Sequence, residues 1–358
     1  CRSVFSQTMA TCAASSVLLS VVMFFLLRTI LAVLGAEGDV AKYFLQYYTI
    51  LLFELPVMTV NASLGMFVRA EGRPQFYMAV TAFTCVLNIL LDWLFTAGFG
   101  FGVRGIAAAS LVSAVLGFSL LLFYFAKKAH VFKFVKFRFD CGIFKSTMLN
   151  GLSEFIGELS MCISIAAYNF VIMRRIGVDG VTAFTVVGYT TYVFSMVVCG
   201  FGQGMAPLSS FVYGAKEKLL ARNLFTRTVL LVLAAGCATV ALVGFGSSLY
   251  SRIFVDDVAV QQMIKSGILI FMWSYILCGL NAIASFYFTS IGKAKESAVI
   301  SSARGLVILL AAIFVLPAIL GMNGVWLASP ATEILTLAIT LFYLKKDRKE
   351  IDDAKQAE

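Results

Sequence analysis

Apolar residues in this chain do not alternate with polar ones; they run in long blocks, each closed by a short polar or glycine-containing break. A helix needs about 20 mostly apolar residues to cross the hydrocarbon of a bilayer. Blocks of that kind occupy 8–34, 43–68, 75–97, 105–126, 147–173, 181–209, 223–249, 262–289, 296–317 and 324–344. The breaks read as turns, as in Glu71-Gly72-Arg73-Pro74 and Gly214-Ala215-Lys216-Glu217. The pattern predicts an all-α, polytopic membrane protein of about ten spanning helices.

Composition agrees: 60% of the 358 residues are apolar and only 13% charged, whereas soluble domains carry about 25% charged residues. The net charge of +9 raises the question of a nucleic-acid surface, and the placement of the cations answers it. Arg2, Arg69, Arg73, the basic run from Lys127 to Lys145, Lys216, Lys218, Arg222, Arg227, Lys293, Lys295 and the tail all fall on one set of alternate connections. The opposite set holds only Lys42, Arg104, Arg174, Arg175, Arg252 and Lys265. By the positive-inside rule the richer side, with the C-terminus, is cytoplasmic, so the charge is a topology signal and no nucleic-acid partner is expected. The cysteines sit mostly inside apolar blocks without metal-like spacing, and the single histidine, His130, cannot anchor a metal.

One pattern occurs twice. Asn61-Ala62 recurs as Asn281-Ala282 and Gly72 as Gly292; with one residue deleted, Gly102 and Gly105 recur as Gly321 and Gly324, Ala109-Ser110 as Ala328-Ser329, and Phe123-Tyr124 as Phe342-Tyr343. Six spans separate the copies, so both have the same orientation, a parallel repeat. The second copy is preceded by two spans, 147–173 and 181–209, that have no counterpart before 8–34. The simplest account is a protein of two six-helix lobes whose first two helices are not in this sequence; the alternative is an asymmetric ten-helix protein. On the first account 1–126 is the remainder of the N-lobe, 127–146 a cytoplasmic interfacial linker, 147–345 the C-lobe and 346–358 a cytoplasmic polar tail.

Asn88-Ile-Leu-Leu-Asp92 followed by Gly102-Val-Arg-Gly105-Ile-Ala-Ala-Ala-Ser110 resembles the N-lobe signature of the multidrug and toxic compound extrusion (MATE) transporters. Gly202-Gln203-Gly204-Met205-Ala206-Pro207, Ser302-Ala-Arg304-Gly305 and Gly324-Val-Trp326 with Glu333 are similar to its C-lobe helices. The resemblance implies a secondary antiporter without a cofactor, driven by inward Na+ or H+, that exports lipophilic cations by alternating access. It also implies that Asp92, Asn88 and Ser110 stand at the family's N-lobe cation site, one carboxylate of which belongs to a helix not in this sequence.

The residues support part of this independently. Each ionisable group inside the hydrocarbon costs about 2.5–3.5 kcal/mol, so each is a functional candidate. Asn88 and Asp92 share one helix face, and Ser110 lies at the depth of Asp92, about 7–8 Å below the outer boundary. A carboxylate, an amide and a hydroxyl at one level can ligate Na+ or relay a proton; the alternative is an Asp hydrogen-bonded for packing. Position 92 maps to Ala311 and position 88 to Val307 in the second copy, so the helix fold itself does not require the pair.

Glu154 and Glu158 form a second one-turn pair, placed on the substrate or proton pathway with Asn169, Tyr189 and Gln203 as further cavity-wall candidates. Arg304 and Glu333 fall at similar mid-membrane depth with opposite charge, which suits a structural ion pair; the alternative is gating by a change of partner. Glu54 is intramembrane with no partner to name. The alternating Phe132-Lys-Phe-Val-Lys-Phe-Arg-Phe139 reads as a linker lying in the headgroup layer against membrane lipid. Short loops suggest a prokaryotic plasma membrane, and a monomer is expected. Two competing functions remain: a lipid-linked oligosaccharide flippase of the same broad superfamily, and a membrane-embedded enzyme or scaffold. The excess of intramembrane acids disfavours the first, and no catalytic cluster supports the second.

Overall fold

The computed structural model describes residues 2–34 and 37–356, and these are almost entirely helical. In chain order the helices are α1 (Arg2–Leu34), α2 (Gly38–Ala70), α3 (Pro74–Trp93), α4 (Val103–Lys127), α5 (Cys141–Arg175), α6 (Val178–Gly214), α7 (Lys218–Phe254), α8 (Val258–Phe271), α9 (Trp273–Ser290), α10 (Ala294–Ser302), α11 (Ile308–Leu320) and α12 (Met322–Gln356). Two π-helical turns interrupt them: Leu94–Gly98 extends α3, and Ala303–Val307 joins α10 to α11. Among the described residues nine helical stretches are long and apolar enough to span a bilayer, and α8 with α9 makes a tenth as a bent pair. Large apolar side chains line the outside, Phe245 being 93% exposed. That surface is the solvent-facing side of a protein whose solvent is lipid.

The chain divides into two compact units, Cys1–Thr147 and Met148–Glu358. In the first, α2 packs chiefly on α4 and α1, and α3 on α4, around a core of Phe5, Met9, Leu64, Val68, Leu121, Tyr124 and Phe125. In the second, α9 packs against α6, α7, α10 and α12 around a larger core that includes Ile172, Phe194, Ile264, Tyr275, Tyr287 and Trp326.

The sequence repeat is visible in the backbone. Gly72 and Gly292 both take positive φ, 82° and 78°. Each closes the end of a helix with the same three bonds: Glu71, Gly72 and Arg73 N–H donate to Phe67, Arg69 and Val68, as Ile291, Gly292 and Lys293 do to Tyr287, Thr289 and Phe288. Gly102 and Gly321 share φ near 57–59° and ψ of −136°, a region open essentially to glycine alone. The conserved spacing of these glycines is thus a backbone requirement.

Three boundaries differ from the sequence reading. The expected single span 262–289 is bent by 45° between α8 and α9. No proline is present; the buried Ser274 hydroxyl donates to the Phe271 carbonyl at 2.6 Å, taking an acceptor from the helical ladder. The linker is shorter than 127–146, because α5 already starts at Cys141, where the Asp140 carboxylate accepts from Gly142 and Ile143 N–H. The tail 346–356 is helical, continuing α12, with Leu344, Asp347 and Ile351 buried at helical spacing.

The linker is also less free than a headgroup-layer strand. The Glu71 carboxylate accepts from His130 and Val131 N–H, both at 2.7 Å. Gln7 makes two bonds with the Asp140 backbone, donating to its carbonyl at 2.8 Å and accepting from its N–H at 3.1 Å. The rings of Phe132 and Phe134 meet Phe5 of the unit's core at tilted angles of 41° and 50°, while Lys133, Lys136 and Arg138 stay exposed. Phe132 is thus partly buried against the core, while Phe134 and Phe139 stay about half exposed with the basic residues.

Candidate functional site

Pro74 opens α3 as its first helical residue, a position where the missing N–H has no intrahelical partner to lose. Asn88 and Asp92 follow on one face near its far end. The π-helical turn Leu94–Gly98 begins two residues after Asp92, and the chain returns through Gly100 and Gly102, both at positive φ, into α4. Gly105 lets α4 approach closely: a Cβ there would meet Phe95 and Phe101 at 3.0–3.1 Å. This close return brings Ser110 to Asn88, whose amide donates to the Ser110 hydroxyl at 3.3 Å. One oxygen of Asp92, Oδ1, is buried and has no hydrogen-bond partner. An unpaired buried carboxylate oxygen is costly, and a bound cation or a proton would supply what it lacks.

In the second unit Arg304 and Glu333 are joined, Nε to Oε1 at 2.6 Å. The pair is part of a larger network. Asn281 donates to Glu333 Oε2 at 2.8 Å and to its backbone carbonyl at 3.0 Å, Thr340 donates to Asn281 Oδ1 at 2.8 Å, and Arg304 Nη2 reaches Cys278 Sγ at 2.7 Å. Arg304 is aimed by the π-helical turn Ala303–Val307. The wide turn exposes the Gly305 carbonyl, which accepts from Ser164 of α5 at 2.8 Å, and Gly305 itself lies so close to Ser160 that a Cβ would overlap it.

Glu154 and Glu158 both stand exposed on α5. Glu154 Oε1 accepts from Thr289 Oγ1 at 3.1 Å. Among the described residues, Asn169 and Tyr189 make their contacts away from Glu154 and Glu158. Asn169 turns its amide back to the Ile165 carbonyl of its own helix, Tyr189 is exposed and packs its ring on Phe254, and Gln203 is half-buried on α6. Glu54 is 6% exposed within α2.

Known proteins share this fold. The sequence model of the MatE family matches residues 1–94 and 155–315. The chain belongs to the MatE family. The multidrug export protein MepA of Staphylococcus saprophyticus subsp. saprophyticus is 23% identical over 340 residues, covering 91% of this chain and 72% of that protein. MepA of Staphylococcus haemolyticus is 24% identical over 345 residues, covering 92% and 73%. Among solved structures, the fold matches an outward-facing multidrug resistance MATE family transporter of the MOP superfamily with a TM-score of 0.92, at 20% identity, over 99% of this chain and 80% of that one. A MOP superfamily transporter from Pyrococcus furiosus, described as having a binding pocket of reverse polarity, matches with a TM-score of 0.90 at 20% identity over 99% and 79%. As a MatE protein the chain is a polytopic helical transporter and not an enzyme.

Sequence reasoning named Arg304 and Glu333 but missed the residues that fix them. Asn281 had a signal: it belongs to the Asn-Ala pair that the MatE chain carries in both copies of its repeat, and in the second copy its amide bonds the buried Glu333. Thr340 and Cys278 had none. Also missed was a hub where Asp347, 2% exposed, accepts from Arg222 at 3.1 Å, Lys293 at 2.8 Å and the Tyr287 hydroxyl at 3.2 Å. Lys293 also pairs with Glu350 at 2.7 Å.

Proposed function

We propose that this MatE protein is a multidrug exporter that couples the outward movement of lipophilic cations to inward Na+ or H+. The observation that carries the ion site is the buried, unpartnered Asp92 Oδ1 one helical turn from the Asn88–Ser110 pair. A carboxylate, an amide oxygen and a hydroxyl are hard donors of the kind Na+ takes, and a carboxylate alone can take a proton. The exposed Glu154 and Glu158 supply negative charge for a cationic drug, which favours this cargo over an anionic lipid-linked sugar. The cation-rich connections support a C-terminus on the cytoplasmic face of a prokaryotic inner membrane.

Coupling requires that ion and drug favour different conformations, since a ligand with equal affinity for both shifts nothing. Ion binding at Asp92 therefore weakens drug binding, and drug weakens ion binding by the same factor. The test is equilibrium ethidium binding to the purified protein, titrated separately with Na+ and with pH. Ethidium affinity should fall as either cation rises, and Asp92→Asn should remove the dependence on Na+. Glu154→Gln should weaken ethidium binding in every condition. Dye affinity indifferent to both cations overturns the coupled reading.

A further inference from the structure

A line of four hydroxyls runs between α9 and α10 in the second unit, starting at Glu154. Thr289 Oγ1 donates to Glu154 Oε1 at 3.1 Å and lies 2.8 Å from Ser297 Oγ; Ser297 Oγ lies 2.7 Å from Ser285 Oγ, which lies 2.9 Å from Ser301 Oγ. Ser297 is fully buried, at 0% exposure. The spacing has a simple origin. Ser285 and Thr289 are one turn apart on α9, Ser297 and Ser301 one turn apart on α10, and the tight Gly292 turn folds the two helices face to face. At the far end Ser301 lies beside α5 again, where a Cβ on Gly157 would come within 4.0 Å of its hydroxyl. The next turn beyond it carries Arg304.

The helix hairpin does not require this line. In the first unit the corresponding positions on α2 and α3 are Gly65, Arg69, Tyr77 and Thr81. There Gly65 leaves room for the Tyr77 ring, and Arg69 sits 4.5 Å over that ring. One hairpin geometry is thus held once by a ring under a guanidinium and once by hydroxyls that end on a carboxylate.

Each hydroxyl has one proton to give and two lone pairs, and an ionised carboxylate can only accept. While Glu154 is ionised, Thr289 must donate to it. Ser297 is then left to donate to Thr289, Ser285 to Ser297, and Ser301 to Ser285. All four dipoles point toward the charge, and the bond at its head is the stronger, charge-assisted kind. We propose that these four hydroxyls are a proton-ordered latch, in which ionised Glu154 ties α5 to the α9–α10 hairpin and neutralisation of Glu154 releases it. A proton arriving from water breaks one O–H bond there and forms one on Glu154. The neutral carboxyl no longer fixes the order, and Ser297 can donate instead to the Ser285 carbonyl, 3.0 Å away. Thr289, Ser297, Ser285 and Ser301 are positioning residues acting through Glu154. Glu158 stands one turn from Glu154 on its own helix; α9 presents Thr289, α10 presents Ser297 behind it, and α6 presents Cys199, with Arg304 the cation on the far side of that thiol. The proposal deepens the reading of Glu154 as a pathway carboxylate, but its test does not depend on transport.

The experiment is hydrogen–deuterium exchange of the α10 amides in the purified full chain in lipid nanodiscs, followed against pH and corrected for the intrinsic exchange rate. In the wild-type protein α10 protection should fall at least about fivefold in one step as pH drops through the titration of Glu154. Glu154→Gln should be loose at every pH, with the step gone. Ser285→Ala should also lose the step, and Ser285→Thr, which keeps the hydroxyl, should restore it. Glu158→Gln, which leaves Glu154 and the four hydroxyls in place, should keep the step. A wild-type profile without a step, or a step that survives Glu154→Gln or Ser285→Ala, overturns the latch. Ethidium binding measured on the same samples reports separately on the transport reading, so the two can fail independently.

Discussion

The hairpin α2–α3 in the first unit and the hairpin α9–α10 in the second share their turn bonds, their positive-φ glycine and their asparagine, yet they enclose opposite chemistry. Asn281 meets Glu333, Arg304 and Thr340 in a buried ionic network. Asn61 instead faces the small Gly117, where a Cβ would lie 3.4 Å from its amide nitrogen, and its Oδ1 has no hydrogen-bond partner. The position matching Glu333 is Ala114 and that matching Thr340 is Leu121. Farther along the second helix of each hairpin the asymmetry reverses, with Asp92 and Asn88 in the first unit and Ala311 and Val307 in the second. The lesson is that the repeat specifies backbone geometry, while each copy spends its polar residues in a different place.

The sharpest way to break the comparison is to remove one half of the ion pair. Glu333→Gln should destabilise the protein by about 3 kcal/mol, the lower end of the range for stranding a buried charge, because the Arg304 side chain keeps 31% of its exposure. The double change Arg304→Met with Glu333→Leu should recover most of that loss in thermal unfolding of the purified protein. The mirror change in the first unit, Ala114→Glu, should destabilise too, since no arginine stands opposite. Equal stability of Glu333→Gln and wild type would mean that the network is not a structural clamp.

Packing gives the next effect. A Cβ on Gly65 would fall on the Tyr77 ring, so Gly65→Ala should cost about 1–3 kcal/mol through overpacking. The matching position in the second unit is serine, and Ser285→Ala should cost only about 1 kcal/mol, the worth of a hydrogen bond. Side-by-side melting curves check the order, and a reversed order would break the assignment of the two hairpins to different packing.

The smallest effects separate the units by pH, at the helix ends outside the membrane. Burial would lower the Lys293 pKa, but its bonds to Asp347 and Glu350 outweigh that and raise it. Its stabilisation is therefore complete below the unfolded lysine value and is lost as pH rises through the folded one. Burial would raise the Glu71 pKa, but N–H donation from Val131 and His130 outweighs that and lowers it. Its stabilisation is present above the unfolded glutamate value and is lost as pH falls through the folded one. Alkali should thus loosen the second unit at Lys293, and acid should free the linker of the first at 129–140. Limited proteolysis across pH reads both. Lys293→Met should remove the alkaline step and Glu71→Gln the acid one, each leaving the other in place.

The sequence by itself determined the spans, the repeat, the glycines that must turn at positive φ, and the positions of the intramembrane acids. All of these follow from local rules: twenty apolar residues match a bilayer's thickness, and a left-handed turn admits little but glycine. Tertiary structure alone decided the bend at Met272, the helical run of α12 past Leu344, the docking of Phe132 on the core, and the partners of each polar group. Serine shows why. Ser110, Ser164, Ser274 and Ser285 look alike in the sequence, each a small polar residue in an apolar block. In the structure one accepts from Asn88, one caps a carbonyl freed by a π-helical turn, one takes a carbonyl from its own helix, and one links two hydroxyls of the neighbouring helix. A hydroxyl takes its role from whichever group the packing brings within 3 Å of it, and packing between helices leaves almost no trace in the order of residues along one of them.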